Sequence, residues 1–399
     1  LASVGRVLII VENLTVPFDR RVWLEAQALT GAGFQVSVIC PKGEQYTKSV
    51  EVLEGIRIYR YPTPPPTKGW TSYVWEFVYC WFMTAWLSLK VHFREGFDVI
   101  HACNPPDTFF ALARLYKVLG KKFVYDQHDL CPELYLARFS ARQGMTYKLL
   151  VALERLTYGT ADLVLSTNES YKKTATGRGK VPPEDVVVVR SAPDLRRFSP
   201  VEPIAELKRG KKYMVSYLGV MAPQDGVDYF VRSIDHIVNT RKRDDVHFTL
   251  IGSGDSYGEL RALTTALDLD GYVEFTGRIP DRDVERYLST SEVCVSPDPK
   301  NDLNDSSTMN KVLEYMALGR PIVAFDLKET RYSAGEGALY ASANDYRDFG
   351  DKILELLDDE ERRTAMGEQN SRRLRESLSW DSSKKCLLDA YEMLRKGSR

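Results

Sequence analysis

The stretch Asp305-Ser-Ser-Thr-Met-Asn-Lys-Val-Leu-Glu-Tyr-Met-Ala-Leu-Gly-Arg-Pro-Ile-Val-Ala324 reads as a polar loop followed by a helix from about Met309 to Leu318. Gly319 is its C-terminal stop, and Pro321 opens a strand. The start of such a helix presents unpaired backbone N–H groups and the positive end of the dipole, a seat suited to phosphate. Lys311 in the first turn adds a cation, and Glu314 lies within one turn of it, placed to accept hydrogen bonds from ribose hydroxyls. The plainer alternative is a surface capping segment on an ordinary helix.

Outward from this stretch, short apolar runs alternate with helical segments. Val7–Val11, Gln35–Cys40, Ile56–Tyr61, Asp98–Cys103, Lys122–Asp126 and Leu163–Ser166 read as strands, with a helix over Arg20–Thr30. The pattern resumes in Tyr213–Leu218, Val246–Ile251, Tyr272–Phe275, Val293–Ser296 and Pro321–Phe325. Their hydrophobicity is continuous rather than alternating, which implies burial on both faces of parallel α/β sheets. The Pro- and charge-rich stretch Pro193–Gly210 separates the two series. The reading is therefore α/β, with two Rossmann-like doubly wound domains at residues 1–198 and 213–378, a linker at 199–212 and a last helix in 379–399. Ligand is expected in a cleft between the carboxyl ends of the two sets of strands.

Composition narrows the classes. The chain has 399 residues, too many for one ordinary domain, and is 44% hydrophobic and 27% charged, as in soluble globular proteins. A net charge of −1 gives a nucleic-acid role no support. Residues 1–200 carry 25 Lys/Arg against 19 Asp/Glu, and the remainder 29 against 36. The basic half suits an anionic ligand or membrane surface, although such an offset also arises incidentally. Cys40, Cys80, Cys103, Cys131, Cys294 and Cys386 are scattered without a CxxC, so free thiols in a reducing compartment are expected, and no structural zinc. No secretory signal is visible, so a cytoplasmic protein is expected.

One segment stands apart. Trp70–Phe93 carries nine aromatic side chains, among them Tyr73, Trp75, Phe82 and Trp86, after the break Pro62-Thr-Pro-Pro-Pro66. Its longest uncharged stretch, Phe77–Leu89, is too short to span a bilayer. It reads either as a helix seated at the inner membrane interface or as one packed on the first sheet with exposed aromatics.

Taken together, these segments resemble the GT-B glycosyltransferases of family 4, retaining enzymes that use nucleotide sugars. Glu314-Tyr-Met-Ala-x-Gly-x-Pro-Ile-Val-Ala324 resembles the family's E-A-M-A-x-G-x-P-V-V-A signature. Leu250-Ile-Gly-Ser-Gly-Asp255, Phe275-Thr-Gly-Arg-Ile-Pro280, Asp98-Val-Ile-His-Ala102 and Tyr125-Asp-Gln-His-Asp-Leu-x-Pro-Glu133 resemble further family segments, in order along essentially the whole chain. The resemblance implies that His128 contacts the donor sugar and is the catalytic-site residue, and that Glu314 binds ribose. It also implies that Thr308, Met309 and Asn310 offer backbone N–H groups to the diphosphate or sugar, flanked by Ser306 and Ser307. Arg278 falls in the loop near the base, and Trp380 onward is the helix that crosses back to the first domain. No metal and no cofactor are implied.

Two departures matter. Ser306 stands where the family has the first glutamate of E-x7-E. Val220 and Asp225, in Gly219-Val-Met-Ala-Pro-Gln-Asp-Gly226, stand where it has a pyrophosphate-clamping Arg and Lys. Missing cations at a departing diphosphate should cost several kcal/mol of barrier. Arg20 and Arg21, with Lys311, are the replacement considered; the alternative is a solvated pair at a helix start. Asp298-Pro-Lys and Asp302-Leu-Asn-Asp305 read as a solvated acidic loop rather than a metal site. Gly252-Ser-Gly254 is too short for a dinucleotide fingerprint. The expected activity is retaining transfer of a hexose-type sugar from a UDP- or GDP-linked donor to a saccharide or polyprenyl-linked acceptor, in surface polysaccharide assembly. A sugar-nucleotide epimerase and an idle sugar-nucleotide-binding protein are the alternatives.

Overall fold

Aliphatic runs too short for helices and flanked by turn residues form two sheets. The computed structural model describes residues 5–63, 70–139, 141–195 and 198–396, with 70–74 by backbone alone. Pro64, Pro65, Pro66 and the side chains of Trp70 and Tyr73, singled out above, lie outside the described residues, as do positions 196 and 197 of the linker stretch.

The chain divides into two compact units. The first comprises residues 1–132, 142–190 and 383–399. Its elements begin with β1 (Arg6–Ile10), α1 (Arg20–Gly31), β2 (Gln35–Pro41), β3 (Val50–Leu53), β4 (Ile56–Tyr61) and α2 (Trp70–Arg94). There follow β5 (Val99–Cys103), α3 (Phe110–Val118), β6 (Lys122–Gln127), α4 (Cys131–Phe139) and α5 (Met145–Tyr158). The series ends with β7 (Leu163–Ser166), α6 (Glu169–Gly177) and β8 (Val186–Val188). Residues 133–141, most of α4, group with the second unit.

The first sheet has eight strands in the order β3-β4-β2-β1-β5-β6-β7-β8. Every pairing is parallel except β3 with β4. Residues 7–10 of β1 are buried throughout, as a strand covered on both faces must be.

The second unit adds β9 (Tyr213–Leu218), α7 (Val227–Asp235), β10 (Val246–Ile251), α8 (Tyr257–Ala266), β11 (Val273–Gly277) and α9 (Asp281–Thr290). Then come β12 (Val293–Ser296), α10 (Asp302–Ser306), α11 (Asn310–Ala317), β13 (Ile322–Phe325), α12 (Lys328–Ala334) and β14 (Ala338–Ala341). The last helices are α13 (Tyr346–Leu357), α14 (Glu360–Arg373) and α15 (Trp380–Lys396). Its six strands are all parallel, in the order β11-β10-β9-β12-β13-β14. Relabelled within the unit this is 3-2-1-4-5-6, the dinucleotide-fold order, with its reversal between β9 and β12. In the first unit the corresponding reversal lies between β1 and β5.

The strands absent from the sequence reading, β3, β8 and β14, all lie at sheet edges. An edge strand has one neighbour and less burial, so its sequence carries a weaker apolar signal. Val50–Leu53 alternates exposed and half-buried, and β8 is three residues long. The stretch after residue 199 is tied down: Val201 N donates to Ser289 Oγ at 3.2 Å and Ile204 N to Thr290 Oγ1 at 2.9 Å.

The aromatic helix α2 packs Cys80, Leu87 and Val91 into the core of the first unit. Trp75, Phe77, Phe82, Trp86, Leu89 and Phe93 remain exposed. No helix among the described residues is long and apolar enough to cross a membrane.

Candidate functional site

In the second unit the reversal point collects several of the residues singled out from sequence. β9 runs out into Gly219 and Val220, β12 into Asp298, and α11 starts beside them. Tyr315 fixes that arrangement. Its hydroxyl accepts from Leu218 N of β9 at 2.8 Å and donates to Val295 O of β12 at 3.1 Å, spanning the two strands where they diverge. The family signature has alanine at this place. A tyrosine on a fully buried helix face was the available signal that its hydroxyl must reach a partner.

The N-cap residue of α11, Met309, makes no side-chain capping hydrogen bond. The glycines allow the loops to pack backbone on backbone. Gly252 has φ of 131°, and a Cβ there would lie 1.9 Å from Gly219 O. A Cβ on Gly219 would meet Tyr217 Oη at 2.8 Å and Lys311 Cε at 3.2 Å. Gly252 N donates to Gly277 O at 3.0 Å, which brings the exposed Arg278 loop alongside.

Lys311 is held differently from the sequence reading. Its ammonium donates to Asp298 Oδ1 at 2.6 Å and stands over the Tyr217 ring at 5.2 Å, with the side chain 8% exposed. The supposed solvated acidic loop is thereby corrected. Asp298 is 1% exposed and also accepts from Ser296 Oγ, while Asp302–Ser306 forms α10. A lone carboxylate would not be buried there, and Lys311 supplies the opposite charge. Asp225 accepts from Ala222 N at 3.1 Å, closing its own turn. Burial raises Asp225 to about 6, with Asp298 adding to the rise and Lys311 opposing it. Val220 is 56% exposed, and its carbonyl accepts from Tyr217 Oη at 2.6 Å. Ser306, Ser307, Thr308, Met309 and Glu314 are half-buried around the start of α11, and Asn310 is exposed.

In the first unit His128 follows β6 in a loop clamped by Asn104. The Asn104 Oδ1 accepts from His128 N at 2.7 Å and from Asp129 N at 3.1 Å. His128 Nε2 lies 2.5 Å from Asp126 Oδ2. Asp126 was not singled out from sequence. It is fully buried on β6, and Arg21 grips it through Nη2 to Oδ1 at 2.6 Å and Nε to Oδ2 at 3.2 Å.

The assignment of Arg21 to a diphosphate is therefore corrected. Its guanidinium also donates to Val189 O at 2.7 Å and stands 3.1 Å from Glu25 Oε1, buried among these groups. Arg20, its neighbour, is exposed at the start of α1.

Burial alone would raise the Asp126 carboxyl; the charge of Arg21, then His128, with the close approach of His101 and the hydrogen bond of His128, instead holds it well below its usual range. Burial pushes Glu25 well above its ordinary value, against the pull of Arg21. His101, Cys103 and Asp126 are close enough to one another to suggest metal ligation. Arg21 on Asp126 argues for an ion-pair network, as does the Cys103 thiol, which burial pushes well above its ordinary value.

Glu12 follows β1 at the reversal point of the first sheet. It is 6% exposed, and neither carboxylate oxygen has a hydrogen-bond partner. Burial, reinforced by Glu76, raises it to about 9 from 4.5. Its folded form thus stays protonated where the unfolded chain has ionised. Stability should fall as pH rises from 4.5 to about 9 and level off above. Glu12→Gln should remove that slope and stabilise the protein at pH ~8 by on the order of 1–3 kcal/mol, measured by urea unfolding across pH.

Matches to known proteins follow the two units. The family described as "Glycosyl transferase 4-like domain" matches residues 19–192, and that described as "Glycosyl transferases group 1" matches residues 212–359. The chain belongs to these glycosyltransferases. Its fold is GT-B. It is 24% identical over 252 residues to a D-inositol 3-phosphate glycosyltransferase of Corynebacterium kroppenstedtii, covering 59% of this chain and 54% of that one. It is 25% identical over 205 residues to a GDP-mannose-dependent monoacylated alpha-(1-6)-phosphatidylinositol monomannoside mannosyltransferase of Corynebacterium glutamicum, 48% of this chain and 52% of that one. The chain spans about half the length of the curated relatives it matches. Anabaena HepE, solved with UDP-glucose, superposes with a TM-score of 0.72 at 15% identity, over 97% of this chain and 99% of that one. The two family matches end at residue 359, before α14 and α15.

Proposed function

We propose that this glycosyltransferase moves a hexose-type sugar, with retention, from a UDP- or GDP-linked donor to a saccharide or lipid-linked saccharide acceptor in surface polysaccharide assembly. The observation that carries the reading is the meeting of Gly219, Val220, Lys311 and the start of α11 at the strand-order reversal of the second unit. Backbone N–H groups and a nearby ammonium there suit a diphosphate. Glu314, one turn into α11, binds ribose in this reading. Ser306, Ser307, Thr308, Met309 and Asn310 line the diphosphate and sugar, Arg278 approaches the base, and exposed Arg20 remains a phosphate contact. His128 contacts the sugar. The relative named for GDP-mannose and the UDP-glucose complex of HepE support a nucleotide-sugar donor of either base.

Incubation with radiolabelled nucleotide sugars and saccharide or polyprenyl-linked acceptors tests the reading. Transfer with the donor's anomeric configuration kept, undiminished by EDTA, is expected. An epimerised donor, or binding without turnover, would transfer the assignment to the corresponding alternative.

We also propose peripheral membrane contact at the cytoplasmic face through α2. Phe82, Trp86 and Phe93 are 64%, 58% and 82% exposed along one stripe, with Lys90 beside Trp86. Wild-type protein should co-sediment with anionic liposomes. Phe82→Ser with Trp86→Ser should cut partitioning by about tenfold or more, the order set by two buried aromatic side chains. Equal sedimentation of the two proteins would remove α2 from the membrane contact.

A further inference from the structure

Behind His128, side chains from separate segments meet, and one belongs to the last helix of the chain. Tyr391 Oη on α15 lies 2.7 Å from His101 Nδ1 on β5. Burial holds the Tyr391 hydroxyl well above its ordinary range, so it keeps its proton, and because His101 Nε2 faces the Asp126 carboxylate, the ring proton belongs there and Nδ1 accepts from Tyr391. His101 is pushed toward its neutral form, chiefly by burial. With Nδ1 accepting, its ring proton sits on Nε2, which faces Asp126 Oδ2 at 3.4 Å and Glu25 Oε2 at 3.5 Å. Those separations transmit charge without a well-formed hydrogen bond. The same Asp126 Oδ2 takes His128 Nε2 at 2.5 Å. One carboxylate oxygen therefore faces two imidazoles, hydrogen-bonded to His128 and in close charge contact with His101, whose far nitrogen is bonded to Tyr391.

We propose that Tyr391 is a positioning residue for His128, acting through His101 and Asp126, so that the seating of α15 on the first unit sets the orientation and proton affinity of the ring that faces the sugar. This rests on the role given to His128 above. Arg21 fixes the other edge of Asp126, which leaves Oδ2 as the variable contact. His128 Nδ1 has no hydrogen-bond partner among the described residues, so the ring is anchored at one end and offers the other. The remaining groups that face the network are Glu25 and the N-cap Asp19 of α1, Cys103 of β5, and Asp129 beside His128. Glu25, Cys103 and Asp129 are all raised by burial, whereas Asp126, beside Arg21, is held well below its ordinary range.

Tyr391→Phe tests this in the full chain, because phenylalanine keeps the ring contact with Phe34, now 5.5 Å between centroids, and removes only the donated proton. The variant should retain its thermal midpoint within a few degrees. Its kcat should fall by roughly 3- to 10-fold, the scale of one buried hydrogen bond, with donor KM unchanged and the pH dependence of kcat displaced. In donor-free protein labelled with 15N-histidine, the imidazole signals of His128, assigned by their loss in His128→Gln, should titrate at a displaced pH. His101→Gln, whose amide can accept from Tyr391 and donate to Asp126, should keep them near wild type and serves if the phenylalanine variant does not fold. Superimposable His128 titrations in wild type and Tyr391→Phe would overturn the proposal. Absence of any sugar transfer by wild-type protein would instead sink the functional reading, and the donor-free titration would still decide this one.

Discussion

Arg21→Met is expected to cost the first unit about 3–5 kcal/mol, because it leaves the fully buried Asp126 carboxylate without its cation. The loss has three components in the structure: two bonds to Asp126, one to Val189 O on the strand-side loop after β8, and the proximity to Glu25. In thermal unfolding this should appear as a drop of roughly 10 °C in the transition of this unit. Arg21→Lys keeps the charge but has no planar fork to span Asp126 and Val189 O together, so an intermediate loss is expected. A variant as stable as wild type would show that Asp126 is carried by His101 and His128 alone.

The second large effect is expected at Lys311. Lys311→Met should destabilise the second unit by about 3–5 kcal/mol, since Asp298 at 1% exposure would face Asp225 with no cation between them. Asp298→Asn is the informative partner variant. It removes the carboxylate that holds the ammonium, while Asp225 remains close enough to limit the cost. If Lys311 also serves the diphosphate, freeing it should tighten donor binding, read by calorimetric titration with UDP and GDP. Unchanged donor affinity in Asp298→Asn would restrict Lys311 to holding the end of β12 against α11.

The two variants expose what kind of residue escapes a sequence reading. Arg20 and Arg21 are adjacent and identical in type at a helix start, and a sequence cannot rank one above the other. Helix geometry turns successive side chains by about 100°, so one points into the sheet and its neighbour out to solvent. Asp298 read as part of a solvated run because acidic residues in loops usually are; its burial depends on a lysine thirteen positions on, brought there by α11. Asp126 and Tyr391 are 265 positions apart and share no local pattern, yet both converge on His101.

The sequence by itself determined the two α/β sheets, a helix from about Met309 to Leu318 and the family of glycosyltransferases, because these rest on periodic burial and on motifs contiguous in the chain. Only the tertiary structure decided which charges are spent inside the protein. Arg21 and Lys311 look alike as letters, yet Arg21 is gripped by buried Asp126 on β6 and Lys311 is paired with buried Asp298 in the loop after β12. The physical reason is that periodicity reports burial of a face, whereas the partner of a buried charge is fixed by strand order and loop closure, which bring together residues the chain keeps apart.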